Sequence, residues 1–300
     1  MNRLGPGMQI TNNPLYRPPA EADSLVLQID EGCPYNRCSF CGMYRAVPYV
    51  RRGMEAVWAL IRDVCGQHPD ARRVFLGDGD VMRRPFDDLQ RILAWLGEHL
   101  AALARVNAYT TGSGILGKTD AQLKILRERR LHTLYMGLES GDETTLEQVN
   151  KRETAEEMIE AALKAQAAGL HMSVMVLLGL GGQNRGPQHA QYTAEALNRM
   201  QPRLLSFLRV VPIPGTAFHD DVENGRLSML SEHDIVQELT SIIARLDLSR
   251  TVMRANHSSN VVPIEARLPK DKPILLAALD ELLSSGVLDR RSPTPEPAHA

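Results

Sequence analysis

Three cysteines within nine residues, Cys33, Cys38 and Cys41 in the stretch CPYNRCSFC, are the densest concentration of reactive side chains in the chain. Thiols this close in sequence converge on one point of a loop, and the thiolate is a soft donor suited to zinc or iron-sulfur centres. Three ligands leave a tetrahedral zinc, or one iron of a four-iron cluster, a position short, and an open position is where a small molecule can bind and react. The next Cys and His, Cys65 and His68, lie on or just past a stretch of helical periodicity, away from the loop. An iron-sulfur cluster, a zinc site and three free thiols are the readings that the spacing leaves open.

The elements that must position this loop follow from hydrophobic periodicity. Ser24 to Ile29 is a short apolar run suited to a buried strand, and it delivers the chain through Asp30, Glu31 and Gly32 to Cys33. Further strands are expected over Arg72–Leu76, Ala104–Tyr109, His132–Leu138, His171–Leu178 and Leu204–Val211. Between them, Met54, Val57, Trp58, Ile61, Val64 and Cys65 recur at helical spacing, so Cys65 is expected in the core. Helices are also expected from Asp87 to about Leu100, from Asp120, and over Ala155–Ala168. Six strands alternating with helices predict a parallel sheet with right-handed crossovers, an α/β fold of the partial (β/α)6 TIM-type barrel kind with a C-terminal helical extension. The cysteine loop then sits at a strand's C-terminal end, the active face of such barrels.

Each predicted strand ends in glycine or polar residues. The turns are Gly77-Asp78-Gly79-Asp80, Thr110-Thr111-Gly112, Glu139-Ser140-Gly141-Asp142, Gly179-Leu180-Gly181-Gly182 and Pro212-Ile213-Pro214-Gly215-Thr216. Singly, each is an ordinary strand-to-helix turn. As an ordered series beside a cysteine loop, they predict a rim where a ligand can approach the backbone closely.

With Phe40 directly before the third cysteine, the loop resembles that of the radical S-adenosylmethionine (radical SAM) enzymes. The resemblance implies that Cys33, Cys38 and Cys41 hold a 4Fe-4S cluster whose fourth iron is chelated by the amino and carboxylate groups of SAM, with Phe40 near the adenine. Four residues separate Cys33 from Cys38, one more than the commonest family spacing. Gly77-Asp78-Gly79-Asp80 resembles the family segment that holds the methionine ammonium group, usually Gly-Gly-Glu, with Asp78 or Asp80 as the anion. Gly137-Leu138-Glu139-Ser140-Gly141 is similar to the strand-four segment of the elongator-type and cobalamin-linked branch, where Glu139 and Ser140 would approach ribose and methionine. Leu178-Gly179-Leu180-Gly181-Gly182 is similar to that branch's Gly-Leu-Pro-Gly, with Gly181 in place of proline, so Gly179 and Gly181 would support the adenine. The Pro212 turn resembles the one after strand six. In the family's order these motifs cover about residues 24–216.

The implied function is reductive cleavage of SAM to a 5'-deoxyadenosyl radical that takes hydrogen from a small-molecule substrate, with a flavodoxin or ferredoxin-type protein supplying the electron. The alternative from another class is a noncatalytic zinc or iron-sulfur protein that senses redox state on a barrel scaffold. Only Cys65 lies outside the loop, which disfavours an auxiliary cluster. Neither a cobalamin domain nor an acetyltransferase-like or RNA-binding domain is expected beside the barrel.

A net charge of -2 disfavours a nucleic-acid partner, and 43% hydrophobic content supports one large core. The absence of a disulfide framework, of a secretory signal and of any run of about 18 apolar residues predicts a cytoplasmic protein without membrane contact. Residues 1–23 are expected as an extended Pro-rich arm, 24–216 as the barrel, 217–288 as a helical extension and lid, and 289–300 as a disordered tail. His257 with Asn256 and Asn260 could bind substrate or be a solvated loop. Arg45, Arg51 and Arg52 could offset carboxylates or serve solubility, and Lys270-Asp271-Lys272 is most simply a solvated helix approach.

Overall fold

A computed structural model describes residues 16–291. The expected arm is therefore seen from Tyr16 and the expected tail as far as Arg291, and the rest of both lies outside the described residues. The strands are β1 (Leu25–Gln28), a two-residue pair β2 (Asp30–Glu31) and β3 (Val50–Arg51), β4 (Arg73–Gly77), β5 (Arg105–Thr110), β6 (Leu131–Glu139), β7 (His171–Leu178), β8 (Leu204–Arg209), β9 (Thr251–Arg254) and β10 (Glu265–Leu268). One eight-stranded sheet runs in the order β1-β4-β5-β6-β7-β8-β9-β10, open at both ends. Every pairing in it is parallel except β9 with β10.

The six expected strands are all present within a residue or two of their predicted limits, and the α/β partial-barrel class holds. The sheet is longer than six strands, because the segment after residue 217 contributes β9 and β10 as well as helices. Each is four residues long with only two side chains turned inward, too short for alternation to stand out from loop sequence.

The helices are α1 (Met54–Gln67), α2 (Phe86–His99), α3 (Gly112–Leu116), α4 (Asp120–Glu128), α5 (Glu143–Gln148), α6 (Ala155–Ala167), α7 (Gly182–Met200), α8 (Ala217–Glu223), α9 (Glu232–Arg245) and α10 (Lys272–Ser284). Sequence pattern misses α7, whose buried face is made of small or polar residues, Ala190, Ala194, Ala196, His189 and Thr193, with Leu197 and Met200 its only large apolar ones. Period two on the strands separates two cores. Leu25, Leu27, Val74, Leu76, Val174 and Val176 face the helices, and Cys65 lies in that core as expected.

Val26, Phe75 and Tyr135 turn into the barrel, with Tyr109 and Met175 packed against them. Phe75 meets Tyr109 and Tyr135 edge-on at 5.0 and 5.7 Å, the arrangement ring quadrupoles prefer. The arm closes the lower end of this interior. Pro19–Glu21 forms a 3-10 turn, and buried Glu21 accepts hydrogen bonds from Ser24, Asn107 and Tyr135.

Candidate active site

The cysteine loop leaves the C-terminal end of β1 and is tied first to the turn after β4. Gly32 N–H donates to Asp78 Oδ2 (3.1 Å), and Gly79 N–H donates to Gly32 O (3.2 Å). Asp78 also accepts from Gln28 Nε2 (2.7 Å) and Tyr44 Oη (2.9 Å), and it is 2% exposed. Its carboxyl therefore fastens the loop to the sheet from both ends of the nine-residue stretch. Asp80 turns the other way, accepting from the Thr111 hydroxyl and amide, and burial pushes its carboxyl up to about 6 against those bonds. Gly77 closes β4 and Gly79 lies against Cys33.

The far side of the loop is held by the connections after β6 and β8. Ser39 N–H donates to Val149 O (2.9 Å), and Phe218 N–H at the start of α8 donates to Ser39 O (3.1 Å). Tyr35 Oη donates to Asn150 O, and Asn150 Nδ2 donates to Arg37 O. Phe40 packs against a small cluster of Val149, Leu180, Val210, Phe218 and Met229, so it seats the loop on the turns after β7 and β8. Pro212 is buried in the turn after β8.

The three thiols are half-buried and close enough to act on one another electrostatically. Burial pushes Cys38 up to about 12, with Lys151 opposing, and burial also raises Cys41, opposed by the Met43 N–H. Metal or cluster binding to thiols of this kind displaces their protons. Among the described residues, no three His, Cys, Asp or Glu side chains stand as ligands to a single metal ion. Thiolates on the corners of a four-iron cube stand farther apart than thiolates around one ion, because the cluster fills the space between them. The soft donors, their mutual proximity and the Met43 amide at the Cys41 sulfur fit such a cluster.

Glu139 is brought to the same face by a break in the ladder. The register between β6 and β7 shifts between Gly137 and Glu139, and Glu139 adopts a left-handed φ of 63°. Its side chain folds back over Gly137, so that a β-carbon there would displace the Glu139 carboxylate. Lys151 Nζ donates to Gly137 O (2.7 Å) and to Glu139 Oε1 (3.3 Å). Burial works to lower the Lys151 pKa, but the charges of Glu139 and Cys38 outweigh it and hold it raised. This lysine stands between carboxyl and cysteine loop, and sequence pattern misses it because it lies mid-way along the short connection between α5 and α6.

Ser140 faces α7 instead of the rim: it is fully buried, and its hydroxyl meets His189 Nδ1 at 2.8 Å and the Asp142 N–H at 3.0 Å. His189 Nε2 lies 3.6 Å from Glu238 Oε1, and that oxygen accepts the Gly179 N–H at 2.7 Å. The turns after β6 and β7 are thus linked through side chains of α7 and α9. Burial pushes Glu238 up to about 8 and His189 down to about 4. Glu238 was also missed, though a carboxyl three residues after Ile235, within the stripe of Ile235, Leu239 and Ile242, is its signal. Gly181 caps the start of α7.

The other candidates lie apart from this face or on its edge. His257 is exposed and bonds Ser259 within its own loop, whereas Asn260 Nδ2 donates to Phe207 O. Arg52 pairs with Glu31, and its carbonyl accepts from buried Arg84, so it braces the hairpin beside the loop. Arg45 and Arg51 are exposed.

The chain belongs to the Radical SAM superfamily: residues 27–191, more than half of the chain, match it. Members of this superfamily bind a 4Fe-4S cluster and SAM. The chain is 23% identical over 233 residues to the hopanoid C-2 methylase of Rhodopseudomonas palustris, covering 70% of this chain and 42% of that protein. It is 17% identical over 180 residues to the heme chaperone HemW of Bacillus subtilis, covering 60% of this chain and 47% of that protein. It thus spans less than half the length of these relatives. In fold it is similar to the coproporphyrinogen III oxidase HemN of Escherichia coli, with a TM-score of 0.58, 18% identity, and 74% and 52% of the two chains covered. It is also similar to the radical SAM methyltransferase TsrM of Kitasatospora setae, at a TM-score of 0.54, 17% identity, and 67% and 39% coverage.

Proposed function

We propose that Cys33, Cys38 and Cys41 hold a 4Fe-4S cluster and that SAM binds beside it, over the turns that end β4, β6, β7 and β8. When bound, the pair supplies one-electron reductive cleavage of SAM to a 5'-deoxyadenosyl radical, which abstracts hydrogen from a small-molecule substrate. The observation that carries this reading is the fastening of the cysteine loop to the connections after three separate strands, through Asp78 after β4, Val149 after β6 and Phe218 after β8. A loop so held keeps three thiols facing the rim without help from a ligand.

In this reading Lys151 and Glu139 form the polar wall next to Cys38 and orient the charged end of SAM, while Gly181 offers backbone to the adenine beside Gly179, whose N–H is held by Glu238. Asp78 positions the loop, and Phe40 excludes water by packing on Leu180 and Phe218. Of the segment 217–288, α8 serves as the cover, because it borders the loop through Phe218, while β9 and β10 extend the sheet. A flavodoxin or ferredoxin-type donor provides the electron, in a cytoplasmic setting; no helix among the described residues is long and apolar enough to cross a membrane.

The test is anaerobic reconstitution followed by reduction with dithionite. About four iron per chain and slow formation of 5'-deoxyadenosine and methionine from SAM are expected, both lost on triple Ala substitution of the cysteines. Stoichiometric zinc in protein isolated anaerobically, with no iron uptake, would favour the noncatalytic alternative.

A further inference from the structure

At the opposite end of the barrel, where the strands begin, lies an open cavity of about 510 Å³ lined by His171, Arg203, Arg250, Gln166, Gln201 and Leu170. His132 packs edge-on against His171 with ring centroids 4.4 Å apart. Arg127 and Arg105 stand near enough for their charge to act on both rings, and Arg203 acts on His171. We propose that this recess binds the phosphate groups of a small phosphorylated molecule.

The first ground is uncompensated charge. Among the described residues, none of Arg105, Arg127, Arg203 and Arg250 forms an ion pair with a carboxylate. Arg127 spends Nε on Gly169 O and Arg203 reaches only Arg250 O, while Arg105 Nε is buried with no partner. A carboxylate that could serve them, Glu21, is occupied by Ser24, Asn107 and Tyr135. Arg203 and Arg250 on the wall, with Arg105 and Arg127 acting on the adjoining His pair and none of the four paired with a carboxylate, leave a positive concavity, and the planar fork of arginine matches phosphate oxygens two at a time.

The second ground is what the remaining lining can recognise. Gln166 and Gln201 both commit their amide N–H groups to backbone carbonyls, Gln166 to Ala162 and Met200, Gln201 to Asn198 and Asp247. Few neutral donors are left to read a sugar or a base edge, so charge is the principal determinant. The cavity exceeds one ion in size, which suits a ligand whose anionic end is gripped while its body stays in solvent. Consistent with the positive surroundings, His132 and His171 are both held below the ordinary imidazole range, first by burial and then by the neighbouring cations.

The test is calorimetric titration of the full-length reconstituted protein with inorganic pyrophosphate at low and at high salt. Saturable, salt-sensitive binding is expected. Substituting the exposed pair, Arg203→Ser with Arg250→Ser, should weaken it roughly tenfold or more by removing charge-assisted bonds. Arg37→Ser with Arg45→Ser, on the cysteine side, should leave it unchanged. No saturable binding, or equal binding by the Arg203/Arg250 variant, overturns the site. Citrate binding as tightly as pyrophosphate overturns the phosphate assignment, and a single-stranded RNA binding more tightly through the same arginines overturns the small-molecule one. SAM cleavage plays no part in these readouts, so the rim and this recess stand or fall separately.

Discussion

Gly79 passes so close to Cys33 that a β-carbon at position 79 would stand 2.8 Å from the Cys33 β-carbon. The contact is backbone against the first cysteine, with Gly32 O only 3.2 Å from the same point, so no side-chain rotation can relieve it. Gly79→Ala should shift the loop at an overpacking cost of roughly 1–3 kcal/mol. Iron content after reconstitution is expected to fall while far-UV circular dichroism keeps its shape. Full iron retention would mean the loop yields freely.

The four cysteines should separate cleanly. Ala at Cys33, Cys38 or Cys41 should abolish the roughly four-iron loading and its visible absorbance. Cys65→Ala should keep the iron and lower stability modestly, since Cys65 is 1% exposed on the apolar face of α1. Iron quantitation beside urea unfolding distinguishes the two behaviours.

Glu139 and Lys151 should behave as a unit. Glu139→Ala and Lys151→Met each remove a charge-assisted contact at the wall beside Cys38, and each should weaken SAM binding by roughly tenfold or more with iron content preserved. Because the two side chains share one contact, the double variant should lose less than the sum of the singles. Additive losses in equilibrium dialysis would show that they act independently.

Glu238 sets a pH dependence whose sign can be worked out. Burial raises its carboxyl from an ordinary 4.5 to about 8, so its contribution to stability is complete below about 4.5 and is lost as pH rises through about 8. His189 is lowered from an ordinary 6.5 to about 4, and its contribution runs the other way, rising with pH between those values. The two offset one another up to about 6.5, and a net decline remains from there to about 8. Denaturant unfolding of wild type should show that decline, and Glu238→Gln should flatten it while still accepting the Gly179 N–H. A variant with the same slope as wild type would sink the assignment.

What was legible in the chain was whatever periodicity or local spacing carried. Strands β1, β4, β7 and β8 are legible because two-sided burial gives nearly continuous apolar runs, and the cysteine loop because its residues are adjacent. The glycine turns fall at the strand ends; within them Asp78 fastens the loop and Ser140 turns toward His189. Direction depends on partners 46 and 49 residues away, which no local pattern records. Lys151 and Glu238 escaped for the same reason, since each matters through what a distant strand end places beside it.

The bond from Gly179 to Glu238 bears on how such chains can be recombined. Residues matching the superfamily end at 191, yet a backbone amide of the β7 turn is satisfied by a side chain 47 residues beyond that limit. A chimera joined near residue 191, taking its second half from a relative that lacks an acidic or amide side chain on the equivalent helix, would leave a buried N–H without an acceptor beneath the rim. The recognisable half and the unmatched half are therefore one inheritance unit, and crossover points that respect the fold lie outside the span from Gly179 to Glu238.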